Sequence, residues 1–343
     1  MEVVGGLEEF AEDELERRMG AEATVVGRPA PGRISIRYRG NPAALNGLRS
    51  VVAVHIVENY EVPRPHGLLG HENLTRLLRV IEGIVSLFPR GSFETFRISA
   101  AGAGSSTFRR LGDEVRNATG LAVTAGPAHL QLAFRRTSCA QTGWEALVRL
   151  SPRPLSARKW RVCDLPGALN GTIAHVMVEL AALPEGGTLV NLACGSGTLM
   201  AEGPELSPTG VVVGCDTSRD ALARAESNLR AAGHGRARLL YADVRSVPLS
   251  AACADAIVAD LPYGMLSKAD TDLGRLYAGT VSEATRLARP GAALVVITSA
   301  KRHFENALKN HESDWDVARV LPLKVPFRSG YINPQVYALK RRP

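Results

Sequence analysis

Long apolar runs are missing from this chain. No stretch approaches the roughly 20 consecutive apolar residues that a membrane-crossing helix needs. The first residues, Met1-Glu2-Val3-Val4-Gly5-Gly6, put no basic region ahead of an apolar core, so a secretory leader is not expected. Cysteine is scarce: Cys139, Cys163, Cys194, Cys215 and Cys253 are the five, and no two stand in a Cys-x-x-Cys pair. An odd, scattered set argues against a disulfide framework or a zinc ribbon and fits reduced thiols in the cytoplasm, so no metal is expected. Internal repeats and low-complexity tracts are absent. Acidic residues are the minority charge, 34 against 41 Lys and Arg, for a net charge of +7. They vanish altogether between Arg149 and Arg161, where Arg153, Arg158 and Lys159 also stand. A positive excess favours a polyanionic partner, although that run alone also reads as a solvated linker.

What is present is ordinary for a globular protein: 343 residues, 45% hydrophobic and 22% charged, enough for two or three domains with buried cores. The C-terminal half alternates short apolar strands (188–192, 211–215, 237–241, 256–260, 292–297, 317–321 and 335–339) with helical stretches such as 220–232 and 273–288. That alternation predicts a parallel sheet covered on both faces, with ligands outside the carboxyl ends of its strands. The N-terminal half predicts helices over 7–19, 74–88 and 107–119. Its strands are expected over 33–38, 51–57, 93–99 and 129–134. Leu74, Leu77, Leu78, Ile81, Val85 and Phe88 form a helical stripe, read as a core face. Ser151-Pro152-Arg153-Pro154-Leu155 is a stiff break where the linker starts.

Four successive strand ends carry chemistry. Val190-Asn191-Leu192-Ala193-Cys194-Gly195-Ser196-Gly197-Thr198 is a strand entering a glycine turn, which lets the backbone approach a ligand closely. Asp216 follows Gly195 by 21 residues, at the end of the next strand, where a carboxylate can accept from both hydroxyls of a ribose. A nicotinamide site would call for a third glycine at Met200, beside a pyrophosphate; S-adenosylmethionine has no pyrophosphate and is favoured. Asp243, beside Val244, could accept from an adenine amine or cap a helix. Cys194 is read as a small residue tolerated in the loop rather than as a nucleophile.

Asp260-Leu261-Pro262-Tyr263-Gly264 closes the apolar run Ala256-Ile257-Val258-Ala259. The Asp260 carboxylate and Leu261 carbonyl suit the two hydrogens of an amine on a flat ring, and Tyr263 suits its face. Such an amine is a poor nucleophile because its lone pair is delocalised. Hydrogen bonds that pyramidalise it and aim it at a sulfonium methyl would supply most of the catalysis, since orientation can contribute roughly 7–11 kcal/mol. Stacking would add about 1–3 kcal/mol. A paired guanine would have to be flipped out of its helix to be reached.

Over nearly its whole length the chain resembles the THUMP-domain guanine-N2 RNA methyltransferases, which modify tRNA. The most specific segment is Arg149-Leu150-Ser151-Pro152-Arg153-Pro154-Leu155-Ser156-Ala157-Arg158-Lys159-Trp160-Arg161, followed by Gly167-Ala168-Leu169-Asn170 and Thr172-Ile173-Ala174. It is similar to the family's junction between RNA-binding and catalytic domains. The acceptor pattern Asp/Asn-Pro-Pro-Tyr/Phe-Gly is matched by Asp260, Pro262, Tyr263 and Gly264, with Leu261 at the first proline. The glycine motif of the family opens with Asp-Pro, where this chain has Asn191-Leu192.

The resemblance implies an α/β architecture: an N-terminal α+β ferredoxin-like segment (1–55), a THUMP domain (56–150), a basic linker (151–170) and a Rossmann-like class I methyltransferase domain (171–343). It implies S-adenosylmethionine held by Asn170, Thr172, Asn191, Ala193, Gly195, Gly197, Thr198, Asp216, Asp243, Val244 and Asp260. Catalysis would fall to Asp260, Leu261, Pro262 and Tyr263. The tRNA 3′ end and acceptor stem would meet the N-terminal half together with Arg149, Arg153, Arg158, Lys159 and Arg161. The expected product is N2-methylguanosine of the position-six type. Position ten of tRNA, large-subunit ribosomal RNA, adenine N6 in DNA, a glutamine amide, and an RNA-binding subunit with a decayed catalytic domain are the alternatives. A partner subunit remains open.

Overall fold

A computed structural model describes residues 1–137, 143–203, 210–262, 270–327 and 330–343. The chain forms two compact units, one of residues 1–2, 15–29 and 34–155, the other of 3–14, 30–33 and 156–343. This division differs from the expected bounds at both ends of the N-terminal half. Residues 34–55 share a unit with 56–155, and 156–170, expected within the basic linker, groups with the C-terminal unit.

The first unit is built on a five-stranded sheet in the order His55–Tyr60, Trp144–Arg149, Leu130–Arg136, Thr95–Ala100, Ala122–Val123. The first three strands pair antiparallel, and Thr95–Ala100 is parallel to both its neighbours. Helix His71–Ser86 buries Leu77, Ile81 and Ile84. Helix Ser106–Thr119 buries Phe108, whose ring lies 5.5 Å from Phe134 and 6.0 Å from Trp144. The strand expected over 51–57 starts instead at His55, opposite Arg149. The apolar run before it is buried outside the ladder, with Val52 N–H donating to Glu2 O. Strand Trp144–Arg149 was not expected, yet its buried Trp144, Ala146 and Val148 alternate as a half-buried strand should.

The second unit contains a seven-stranded sheet. Its strands in chain order are β1 (Thr188–Leu192), β2 (Val211–Asp216), β3 (Arg238–Tyr241), β4 (Ala254–Asp260), β5 (Ala288–Thr298), β6 (Trp315–Pro322) and β7 (Gln335–Arg341). The spatial order is β3-β2-β1-β4-β5-β7-β6, parallel except for β7, which runs antiparallel to β5 and β6. Helices α1 (Gly171–Ala181), α2 (Thr198–Glu202), α3 (Arg219–Ala231), α4 (Asp270–Leu287) and α5 (Lys301–Lys309) belong to this unit. Residues 256–259 of β4 are fully buried, which is why that strand reads as a continuous apolar run rather than an alternating one. Chain direction through the sheet reverses between β1 and β4, and in open sheets the ligand crevice lies at that reversal.

The N-terminal sheet carries a pH-sensitive histidine. Burial, then the charges of the chain amino terminus and Arg149, lower His55 from 6.5 to about 4. Folded His55 is therefore neutral while the unfolded ring takes up a proton below its ordinary value. Stability from this group is complete above pH 6.5 and is lost as the pH falls toward 4. The loss should reach at most about 3 kcal/mol, less where solvent screens the ring. Urea midpoints measured across that window should slope less in His55→Gln than in the natural protein; equal slopes would refute the assignment.

Candidate active site

The glycine turn begins where β1 ends. Ala193, Gly195 and Gly197 all take positive φ, at 53°, 53° and 81°. An alanine in that region is strained, and its surroundings hold it there. Cys194 N–H donates to Cys215 O at 2.8 Å and Gly197 N–H to Cys194 O at 2.9 Å. Gly195 N–H donates to Asp216 Oδ2 and Ser218 N–H to Asp216 Oδ1, both at 2.9 Å. A Cβ on Gly197 would meet Ala225 Cβ at 3.2 Å, so the glycine admits α3 against the turn. Met200, at the position of a dinucleotide site's third glycine, is fully buried because Gly214 on β2 leaves room for its sulfur. Burial, then the Asp216 charge, pushes the Cys194 thiol up, so it stays protonated and is no nucleophile.

The strand ends open on one cavity of about 1120 Å³. Asn170, Ala193, Gly195, Thr198, Asp216, Asp243, Val244, Asp260, Leu261 and Pro262 all line it, so most of the expected site residues converge. Each Asp216 oxygen keeps lone pairs beyond the one bond described above. The Asp243 carboxylate is gripped by Arg245, Nε to Oδ1 at 2.9 Å and Nη2 to Oδ2 at 2.6 Å. That bond is the main reason its carboxyl is held below the ordinary range. Asn170 caps α1, its Oδ1 accepting from Thr172 N–H at 2.8 Å.

Thr172, Asn191 and Gly197 do not line the cavity. Asn191 is buried between strands, its Nδ2 donating to Leu192 O at 3.2 Å and Val258 O at 3.1 Å. Two carbonyls demand donors there, which an amide supplies and a carboxylate does not. Thr172 is buried within α1 and Gly197 serves the packing of α3. At the acceptor end, Leu261 N–H donates to Ile297 O on β5 at 3.2 Å, and the Leu261 side chain is buried. Tyr263 and Gly264 lie outside the described residues.

The basic run does not face outward as a whole. In the N-terminal unit the Arg149 guanidinium is buried and donates to the carbonyls of Ala128, His129, Ser151 and Pro152 and to Gln131 Oε1, at 2.8–3.0 Å. Arg158 is buried in the C-terminal unit, its Nε donating to Glu202 Oε1 at 2.9 Å and Nη2 to Gly171 O at 3.1 Å. Arg161 donates to Leu169 O at 2.7 Å and Thr198 Oγ1 at 2.9 Å and lines the cavity. These engagements correct the expectation that all five cations meet RNA. Arg153 and Lys159 are the exposed ones.

Sequence reading missed two parts of the wall. One is the stretch from Leu165 to Leu169. The other is the antiparallel pair of short strands Val325–Phe327 and Gly330–Ile332, which contributes Val325, Pro326, Phe327 and Ile332. Its short, proline-broken pattern gives no periodic signal, so only the fold reveals it.

Residues 158–324 match the family model described as RMKL-like, methyltransferase domain. The tRNA (guanine(6)-N2)-methyltransferase of Thermus thermophilus is 29% identical over 316 residues, covering 88% of this chain and 89% of that protein. The solved structure of TrmN from Thermus thermophilus superposes with a TM-score of 0.73, at 24% identity, over 99% of this chain and 98% of that one. Along most of its length the chain is thus similar to a guanine-N2 methyltransferase, and 158–324 to a methyltransferase-domain family. The U6 snRNA (guanine-N(2))-methyltransferase THUMPD2 of Bos taurus is 34% identical over 136 residues, 39% of this chain, which spans about a quarter (26%) of that relative. The likeness to TrmN supports a class I methyltransferase fold for the seven-stranded sheet.

The buried pair under the glycine turn makes a testable demand. Arg158→Ala should cost about 3–5 kcal/mol, because it leaves the buried Glu202 carboxylate without its guanidinium partner. The double change Arg158→Met with Glu202→Met should recover much of that loss. Chemical denaturation of the single and double variants measures the coupling; additive losses would contradict it.

Proposed function

We propose that the protein transfers the methyl group of S-adenosylmethionine to the exocyclic N2 of a guanine in tRNA. The observation that carries this reading is the convergence of four strand ends on one cavity: the glycine turn after β1, Asp216 after β2, Asp243 after β3 and Asp260-Leu261-Pro262 after β4. Its volume exceeds the roughly 300–1,000 Å³ of ordinary ligand sites, which leaves room for a cofactor and a flipped base.

The residues present fit the cofactor. Asp216 has lone pairs for the ribose hydroxyls, its position fixed by Gly195 and Ser218. Asp243, kept ionised by Arg245, remains an acceptor for the adenine amine, and Val244 offers an apolar edge. The bound cofactor supplies an electrophilic sulfonium methyl. Asp260 and the Leu261 carbonyl accept the two N–H bonds of the guanine amine and direct its lone pair at that methyl. Asp260 would take up the surplus proton that the nitrogen sheds once it carries the methyl group. Tyr263 is assigned the stacking face by its place in the motif.

Support for the substrate class comes from the Thermus thermophilus relative, matched along most of both chains. The same match favours a position-six target, and the family resemblance assigns the RNA 3′ end to the N-terminal unit. The U6 snRNA relatives match over 136 residues of this chain and favour the same acceptor atom in a different RNA. Arg153 and Lys159 are the junction residues available for phosphate contacts.

Asp260→Ala should keep tRNA affinity and abolish most methyl transfer, since a positioned acceptor is worth on the order of 10²–10³ in rate. Turnover close to the natural enzyme's would remove Asp260 from the chemistry. Replacing Arg153 and Lys159 together by Ala should flatten the salt dependence of tRNA binding by up to about one slope unit per lost contact. An unchanged slope returns those residues to a solvated surface.

A further inference from the structure

The acceptor turn lacks the first of the two prolines in the family's pattern, yet it is tied down by a different device. Tyr277 of α4 is fully buried, and its hydroxyl lies 3.0 Å from Pro262 O and 2.5 Å from Thr298 Oγ1 at the end of β5. A carbonyl can only accept, so the Tyr277 hydrogen goes to Pro262. The Thr298 hydroxyl must then donate to Tyr277, and Thr298 Oγ1 itself accepts from Ala300 N–H at 2.9 Å. The outcome is a one-way relay of hydrogen bonds from the chain just ahead of α5, through β5 and α4, to the acceptor turn. Packing fixes the ring: Phe304 sits edge-on at 6.4 Å and His303 at 6.2 Å. Burial also pushes the Tyr277 hydroxyl up to about 12, so it keeps its proton and stays a donor.

The leucine completes the device. A proline at 261 has no N–H; Leu261 has one and donates it to Ile297 O at 3.2 Å, one residue before Thr298. Pro262 in turn confines Leu261 to extended backbone, which sets the direction of the Leu261 carbonyl. That carbonyl is thus bracketed by a bond to β5 on one side and the Tyr277-held Pro262 on the other.

We propose that Tyr277, with Thr298 behind it, is a positioning residue for methyl transfer, holding the Asp260-Leu261-Pro262 turn so that its two acceptors meet the target amine. The proposal rests on the functional reading above. Hydrogen-bond restraint of the turn takes the place of the missing proline in this chain.

The test is Tyr277→Phe, which keeps the ring and its packing and removes only the hydroxyl. With unmodified tRNA transcript and S-adenosylmethionine, kcat should fall between about 10- and 100-fold, as expected for a misplaced acceptor. The cofactor Kd from calorimetry should stay within about twofold, because the cofactor wall does not use this hydroxyl. Thr298→Ser should retain near-natural kcat and Thr298→Val should lose part of it; this pair serves if the Phe variant does not fold. Natural kcat in Tyr277→Phe, or equal rates in the Ser and Val variants, would overturn the proposal. So would a fall in kcat matched by an equal loss of cofactor affinity, which marks general damage. A natural protein that methylates no RNA while binding the cofactor would bring down the functional reading, and this proposal with it.

Discussion

The Arg158–Glu202 pair ties together the segments that form one wall of the cavity. Glu202 is fully buried at the end of the short helix that follows the glycine turn, and Arg158 enters from the junction segment to meet it. Gly171 makes the entry possible: a Cβ there would lie 2.8 Å from Arg158 Cγ and 2.9 Å from its Nε. The same guanidinium donates to Gly171 O, so one side chain links the junction, the start of α1 and the end of α2. Desolvating two charges consumes much of their mutual attraction, so the pair contributes register more than net stability. Arg161 repeats the arrangement nearer the cavity through Leu169 and Thr198. The stretch from Leu165 to Asn170 is thereby held as wall rather than left as linker.

Across the cavity, backbone geometry and carboxylates share the work. Asp216 stabilises the strained glycine turn through Gly195 and retains capacity for a ribose. Asp243 is pre-set by a forked arginine, and Gly279 on α4 gives the Arg245 stem its place, since a Cβ there would press on Arg245 Cγ. None of these acids must change charge for the site to form. That suits a reaction in which positioning, rather than a shifted acid or base, lowers the barrier.

The sheet was legible because both faces of it are covered. Thr188–Leu192 has the bounds that its apolar run implies, and the other strands of that sheet fall close to expectation. Asp216 and Asp260 could be placed at strand ends from that register alone, which is why the cavity's acids were identifiable. The arginines between 149 and 161 were misread for a physical reason. A cation's partners come from distant sequence: Glu202 for Arg158, and carbonyls around Ala128 for Arg149. Composition records the charge and says nothing of where it points. Asn191 shows the same limit, since motif position suggests a ligand contact but not that its Nδ2 donates to the carbonyls of Leu192 and Val258. Tyr277 escaped notice because a buried tyrosine on an amphipathic helix looks like core until its hydroxyl is traced to Pro262.

The central claim is that the chain methylates the N2 of guanine in tRNA. The most direct measurement incubates the purified protein with S-adenosylmethionine bearing a deuterated methyl group and unmodified tRNA transcripts, followed by digestion and nucleoside mass spectrometry. The account predicts a single labelled nucleoside class, N2-methylguanosine. Label on adenosine, or none in tRNA from protein that binds the cofactor, would contradict it.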